Sequence, residues 1–420
     1  MPDKVLIITY YWPPSGGAGV QRWVKFAKYM PEFGWEPIIL TVDRAYAAYP
    51  VTDSTLLSEI PVSLQVFSTP ATDYFTFYKK DKSKIPSAGF AINNDNSLKG
   101  KLLRFIRGNF FIPDPRKGWN RFALHKASEL IRIMGIRNVI TTSPPHSTQL
   151  IGLRLKKRFP GINWITDLRD PWTDIYYYDQ FYPTILARLI DAGYERKVLK
   201  TADSIITVGE SLKELYSSKV PGAKNRATII SNGYDEEDFS DIVMKCTGYT
   251  ITYTGTLSDI YPIEGFLKAI TSSETKILLR FIGAVSDKQK RSILTTLKSD
   301  DVQFTSYTDH RTAVRYTRES SALLLIIPKH VSSRSILTGK LFEYLASGRP
   351  VICLGPTDGD AAKILDETGH GKTFGYDDTE NIKDFLKQIP EMADNMPAPK
   401  GYSRKELTRK LISMLQATGR

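Results

Sequence analysis

Apolar runs of three to seven residues recur along the chain, each followed by a stretch with helical spacing, and this alternation restricts the fold more than any other feature. The first run, residues 4–9 (KVLIIT), is apolar throughout its length, the pattern of a strand covered on both faces. A loop rich in Pro and Gly, YYWPPSGGAG, follows. Val20, Trp23, Val24, Ala27 and Met30 then share one side of a helix over 20–33. The next run is PIILTV at 37–42. Strand, glycine-rich turn, helix and strand make a βαβ unit, which predicts a parallel sheet.

The pattern predicts further strands at 138–142, 163–167 and 204–208, with helices over 121–134, 147–159 and 210–217. ISNGYDEEDF, residues 230–239, supplies a hinge through its Asn-Gly turn. The alternation then restarts. Strands are expected at 250–254, 276–282, 302–304, 322–327 and 351–354, and helices over 263–270, 287–297, 311–319, 339–346 and 361–367. A length of 420 residues suits two cores better than one. The expected fold class is α/β, with two doubly wound, Rossmann-like domains facing a cleft. Residues 1–235 form the first domain, with a basic insertion at about 75–120, and 236–400 form the second. A basic amphipathic helix within 401–420 is expected to pack back on the first. In such sheets ligands bind beyond the strand C-termini.

Composition removes several alternatives. Hydrophobic residues make up 41% and charged residues 24%, which excludes wholesale disorder. The run at 322–327 is far short of the roughly 20 residues of a membrane span. MPDKVLIITYYWPP reads as a first buried strand, not a secretory signal. Cys246 and Cys353 exclude a disulfide framework and a thiolate zinc site, and fit a cytoplasmic location. Net charge is +12, and residues 79–121 alone hold eleven Lys/Arg against three acids. That concentration implies an anionic partner. Within it, LKGKLLRFIRGNFF (98–111) mixes the two residue types that meet a bilayer surface. Lys99, Lys101, Arg104 and Arg107 would contact anionic lipid while Leu102, Phe105 and Ile106 dip inward. The same pattern suits a helix packed on its own domain. No nucleic-acid-binding motif accompanies the charge, so nucleic acid is not expected.

Three segments sit where a ligand would bind. Ser15-Gly16-Gly17-Ala18-Gly19 opens the first helix, where bare backbone amides favour an anion; it serves equally as a tight turn. Its spacing is neither the dinucleotide fingerprint nor a P-loop. Asp43, after the second strand, favours a nicotinamide enzyme or is an ordinary loop residue. Thr142-Ser143-Pro144-Pro145-His146-Ser147 and Thr166-Asp167-Leu168-Arg169-Asp170-Pro171-Trp172 each end a strand. The second set of charges either recognises hydroxyls or folds its own loop. Asp358-Gly359-Asp360 spells D-x-D but precedes a helix, which makes it a cap before a metal site. No metal and no cofactor are expected.

With these segments in order, the chain resembles the GT-B glycosyltransferases, specifically the retaining family 4 type of bacterial surface glycan synthesis. The resemblance covers nearly the whole chain and rests on the glycine loop, SPPH, DLRDPW, SNGYD, YTGTL, FIGA and GKLFEYLASGRPV. It implies transfer of a sugar from a nucleotide-diphosphate sugar to a glycan or lipid-diphosphate-linked acceptor, at the cytoplasmic face of a membrane. It implies that Glu343 binds the ribose, that Thr338, Gly339 and Leu341 offer backbone to the diphosphate, and that Lys340 adds charge. Gly17 and Gly19 would face the diphosphate from the first domain, and His146 would lie near the donor sugar. Asp167, Arg169 and Asp170 would line the acceptor side. Two family features are missing: Ser335 stands where many members carry a second glutamate, and Thr256 and Tyr261 where many carry Arg and Lys. Lys340 or Arg334 would then supply the charge, so both join His146 as catalytic candidates. The competing expectations are a nucleotide-sugar 2-epimerase of related fold and a binding protein that kept the fold without turnover.

Overall fold

The computed structural model describes residues 2–49, 52–72, 74, 97–240, 248–392 and 396–418. Lys79, Lys80, Lys82 and Lys84 of the basic segment, and Cys246, lie outside the described residues. The chain divides into two compact units, Met1–Ser231 with Lys405–Arg420, and Asn232–Arg404.

The first unit carries a seven-stranded parallel sheet in the order β3-β2-β1-β4-β5-β6-β7. Its strands are β1 (Asp3–Ile8), β2 (Trp35–Val42), β3 (Gln65–Thr69), β4 (Asn138–Ser143), β5 (Asn163–Leu168), β6 (Ser204–Thr207) and β7 (Ala227–Ile229). The second unit carries a six-stranded parallel sheet in the order β10-β9-β8-β11-β12-β13. These are β8 (Thr250–Thr254), β9 (Leu278–Ile282), β10 (Val302–Thr305), β11 (Ala322–Ile326), β12 (Val351–Leu354) and β13 (Gly371–Phe374). Strand order reverses at β1/β4 and at β8/β11, the switch points of doubly wound sheets.

The continuous apolar runs have the cause inferred for them. Leu6 and Ile8 of β1 pack into one core with Leu40 and Trp164. Val5 and Ile7 pack into the opposite core with Trp23 and Phe26. Both faces of the sheet are covered, so Val5, Leu6, Ile7 and Ile8 are all buried, each such side chain contributing about 1.5–3 kcal/mol. In β8 the faces differ: Ile251 and Tyr253 pack into a core shared with Phe281, while Thr250, Thr252 and Thr254 alternate with them and are buried as well. The helix Arg404–Thr418 inserts Leu407, Leu411 and Leu415 beside Val20 and Trp23 of the first unit. Lys405 there pairs with Glu32 at 2.6 Å.

The basic segment differs in part from expectation. The helix Leu98–Phe110 forms, with the Ser97 hydroxyl accepting from the Gly100 amide at 3.0 Å. Lys99, Lys101, Leu102 and Phe105 are exposed. Arg104 instead lies over the Tyr182 ring, and Arg107 over the Phe181 ring at 4.0 Å. Helical period turns those two arginines and Ile106 toward a neighbouring segment, so they are not part of an outward basic stripe.

Candidate functional site

In the first unit, the ends of β1, β4 and β5 bring the predicted residues to one sheet edge. The helix Ala18–Tyr29 starts from Gly17 as its N-cap. Arg169, just past β5, donates from Nε to the Ser143 carbonyl at 2.8 Å. Its Nη atoms rest against Gly19, where a Cβ would fall 2.5 Å from Nη1. A side chain at position 19 would displace the guanidinium from this place. The Arg169 side chain is 10% exposed, and its two Nη groups donate to no described residue. A guanidinium with open donors therefore sits beside the positive end of a helix, an arrangement suited to an oxyanion.

Asp167 corrects an expectation. It is fully buried and accepts from Arg22 Nη2 at 3.2 Å, Trp23 Nε1 at 3.0 Å and Thr142 Oγ1 at 2.8 Å. Arg22 in turn donates to the carbonyls of Ile230 and Ser231. With its oxygens occupied and closed to solvent, Asp167 holds strand ends together and cannot line an acceptor site. Burial raises the Asp170 carboxyl above its usual range. Asp43 is likewise committed locally, accepting from the Ala45 amide at 2.8 Å.

His146 stacks on Trp172 with ring centroids 4.8 Å apart. Its Nδ1 is buried without a hydrogen-bond partner among the described residues. Desolvation, with the positive charges of Lys219 and Arg169, pushes its pKa down to about 3. The imidazole is therefore neutral near pH 7, able to hydrogen-bond a hydroxyl but carrying no charge. Asp114 fixes the loop that presents it, accepting from the Ser147 amide at 2.8 Å and the Ser147 hydroxyl at 2.9 Å.

In the second unit, the helix Gly339–Ser347 begins at the edge where β8 and β9 end. Leu341 is a buried core residue whose amide bonds the Thr338 carbonyl at 3.2 Å, so it is not available to a ligand. The amides of Gly339 and Lys340 bond no described residue. The Thr338 hydroxyl is buried without a hydrogen-bond partner among the described residues. Lys340 reaches under Gly255, which follows β8 with φ +99°; a Cβ there would lie 2.7 Å from the amine. The amine donates to the Tyr253 hydroxyl at 3.0 Å, and that hydroxyl donates to the Thr256 carbonyl at 2.8 Å. Desolvation lowers the Lys340 pKa to about 8, with Glu343 opposing the shift. Glu343 Oε1 lies 3.3 Å from His310 Nε2, and both side chains are partly exposed.

Other predicted residues stand apart from this cluster chemically. Arg334 forms a two-bond ion pair with Asp358, at 2.7 and 3.1 Å, on the exposed surface. The Ser335 hydroxyl donates to the Ser332 carbonyl. Tyr261 is a core residue. Asp360 opens the helix Asp360–Thr368, so the D-x-D is divided between an ion pair and a helix start. Among the described residues no group of three or more His, Cys, Asp and Glu could hold a metal ion. Tyr253, His310 and Gly255 were not legible as site residues. Their roles depend on contacts to residues 33 to 87 positions away.

No protein-family model matches the sequence, and no curated protein matches it. Solved structures do share its fold. The lipopolysaccharide outer core galactosyltransferase WaaB, in its apo form, is 10% identical with a TM-score of 0.61, covering 99% of each chain. Anabaena Alr3699/HepE in complex with UDP is 10% identical with a TM-score of 0.61, covering 99% of this chain and 100% of that one. A Listeria monocytogenes protein described as a UDP-N-acetylglucosamine 2-epimerase is 10% identical with a TM-score of 0.56, covering 99% and 96%. The architecture is thus the GT-B arrangement of two parallel-sheet α/β domains. At such identities the shared fold does not choose between transferase and epimerase.

Proposed function

We propose that this chain is a glycosyltransferase that moves a sugar, with retention, from a nucleotide-diphosphate sugar to a glycan or lipid-linked acceptor of a cell-surface polysaccharide. The observation that carries it is the second-unit cluster. Two unbonded helix-start amides, the buried Thr338 hydroxyl and the Lys340 amine form an anion cradle, with Glu343 one turn further along the helix. The occupancy of HepE by UDP, on the same fold, supports a nucleotide diphosphate as the anion. Breaking a sugar–diphosphate bond leaves negative charge on the departing phosphate. Preset amides and an ammonium aimed at that oxygen stabilise the transition state more than the ground state. Glu343 would hold the ribose hydroxyls, and neutral His146 would hydrogen-bond the donor sugar. Arg334, already paired with Asp358, contributes less to this chemistry than Lys340.

The same reading takes the exposed face of helix Leu98–Phe110 to an anionic bilayer carrying the acceptor. Lys99 and Lys101 supply charge, and Leu98 and Leu102 supply apolar surface. Helix Ile185–Thr201 extends that face with Ile185, Leu186 and Leu189, all more than 60% exposed. Asn109 ties the two elements by accepting from the Thr184 amide at 2.7 Å and donating to the Tyr182 carbonyl at 3.0 Å. Among the described residues no helix is long and apolar enough to cross a membrane.

Incubation with UDP-, GDP- and TDP-sugars, with and without a glycan acceptor, tests the reading. Acceptor-dependent release of nucleoside diphosphate is expected. Interconversion of UDP-sugars without release would identify an epimerase, and binding with neither would identify a non-catalytic protein.

A further inference from the structure

Beside His146, in the first unit, lies a pocket that sequence reasoning did not find. Trp172, Tyr177 and Phe181 line it, and the Arg107 and Arg116 guanidinium groups also reach it. Ring faces of this kind pack against the C–H faces of a saccharide, whose hydroxyls stay free to hydrogen-bond. The charges are what single the pocket out. Two carboxylates, Asp114 and Asp191, also border it, and both are occupied. Asp114 accepts from the Ser147 amide and hydroxyl and from the Arg116 amide. Asp191 accepts from Trp172 Nε1 at 2.8 Å and the Tyr178 hydroxyl at 2.9 Å. Arg116 is buried against Tyr10 and Tyr11 and donates to the Ala48 carbonyl.

Arg107 is different. Its planar guanidinium, a fork of five donors, lies over the Phe181 ring with its central carbon 4.0 Å from the ring centroid. It makes no hydrogen bond or ion pair with any described residue. Burial and the like charge of Arg116 lower its pKa, yet a guanidinium stays protonated at neutral pH. Asp114 opposes that shift, but its oxygens are taken by Ser147 and the Arg116 amide; a cation held in an aromatic pocket beside a second cation, and bonded to no described carboxylate, is a site short of an anion.

We propose that this pocket binds an oxyanion of the acceptor, the carboxylate of a uronic acid or a phosphate of its carrier, through the Arg107 guanidinium. This rests on the glycosyltransferase reading for the word acceptor, whereas the anion site itself does not. The consequence is a preference for acidic over neutral acceptors, set next to the imidazole that would lie near the donor sugar.

The test is calorimetric titration of the full chain, without donor, by methyl glucuronide, methyl glucoside and decyl phosphate below its micelle concentration. At least about tenfold tighter binding of one anion than of the glucoside is expected, from charge-assisted bonds to a fork of donors. The tighter anion names the source, sugar acid or carrier phosphate. R107Q should abolish the preference and R107K should keep part of it, with neither melting below wild type. Equal binding of glucuronide and glucoside with no binding of decyl phosphate overturns the proposal, as does a preference that survives in R107Q. UDP titration of the same samples separates the two readings. UDP binding without anion preference refutes the pocket alone, and anion preference without binding of any nucleotide diphosphate refutes the transferase reading alone.

Discussion

Replacing Lys340 with Met should weaken nucleotide binding and stabilise the free protein at the same time. Burial moves the Lys340 amine from 10.5 to about 8. At 1.36 kcal/mol per pKa unit, holding that charge costs the folded chain up to about 3 kcal/mol at pH 7. Methionine fills nearly the same volume without the charge. It forfeits the hydrogen bond to Tyr253, a net loss of about 1 kcal/mol, while that hydroxyl keeps its bond to the Thr256 carbonyl. K340M should therefore be about 1–2 kcal/mol more stable at pH 7, a rise in Tm of a few degrees. The folded pKa lies below the unfolded one, so between about 8 and 10.5 the unfolded chain holds more protons and wild-type stability rises with pH. The advantage of K340M should shrink through that window. UDP, in contrast, loses a charge-assisted contact of about 1.5–3 kcal/mol, a 10- to 100-fold increase in Kd. Calorimetric titration and scanning calorimetry at pH 7 check both halves. Wild-type UDP affinity should fall as pH rises through about 8, and that of K340M should stay flat. Unchanged affinity, or a K340M that melts below wild type, would refute the reasoning.

Other expected outcomes follow from single contacts. Glu343→Ala should raise the Kd for UDP about tenfold by removing a carboxylate hydrogen bond, with little change in Tm because Glu343 is partly exposed. Asp167→Ala should lower stability by about 3–5 kcal/mol, since it strands the fully buried Arg22 guanidinium, and denaturant titration reads it. The pH–rate profile should show no limb near 6.5 from His146, whose pKa lies at about 3, although H146A should lose activity. Pelleting with anionic vesicles should weaken in K99E/K101E and in L186S/L189S alike, the second pair testing the helix that sequence reasoning omitted.

Much of the architecture was legible from pattern alone, because a parallel sheet covered on both faces leaves continuous apolar runs. The predicted strands are present, from KVLIIT at β1 to VICL at β12. Three strands were missed. β3 (QVFST) is largely exposed, β7 (ATI) is three residues long, and β13 (GKTF) opens on Gly and Lys. Edge strands covered on few sides need few apolar residues, so their sequences carry little signal.

At the sites the division falls between backbone and side chain. That GKLFEYLAS starts a helix beyond a strand, placing bare amides and Glu343 at a sheet edge, is a local consequence of composition and period. What each charge does there is not local. Asp167 and Arg169 are two residues apart, yet one is walled in by Arg22, Trp23 and Thr142 while the other keeps open donors beside Gly19. Lys340 and Arg334 looked interchangeable as cations, until packing put one under Gly255 and the other against Asp358 at the surface. Whether a charged group is spent or available depends on partners brought from distant positions and on the water they exclude. Both are settled only when the chain closes around it.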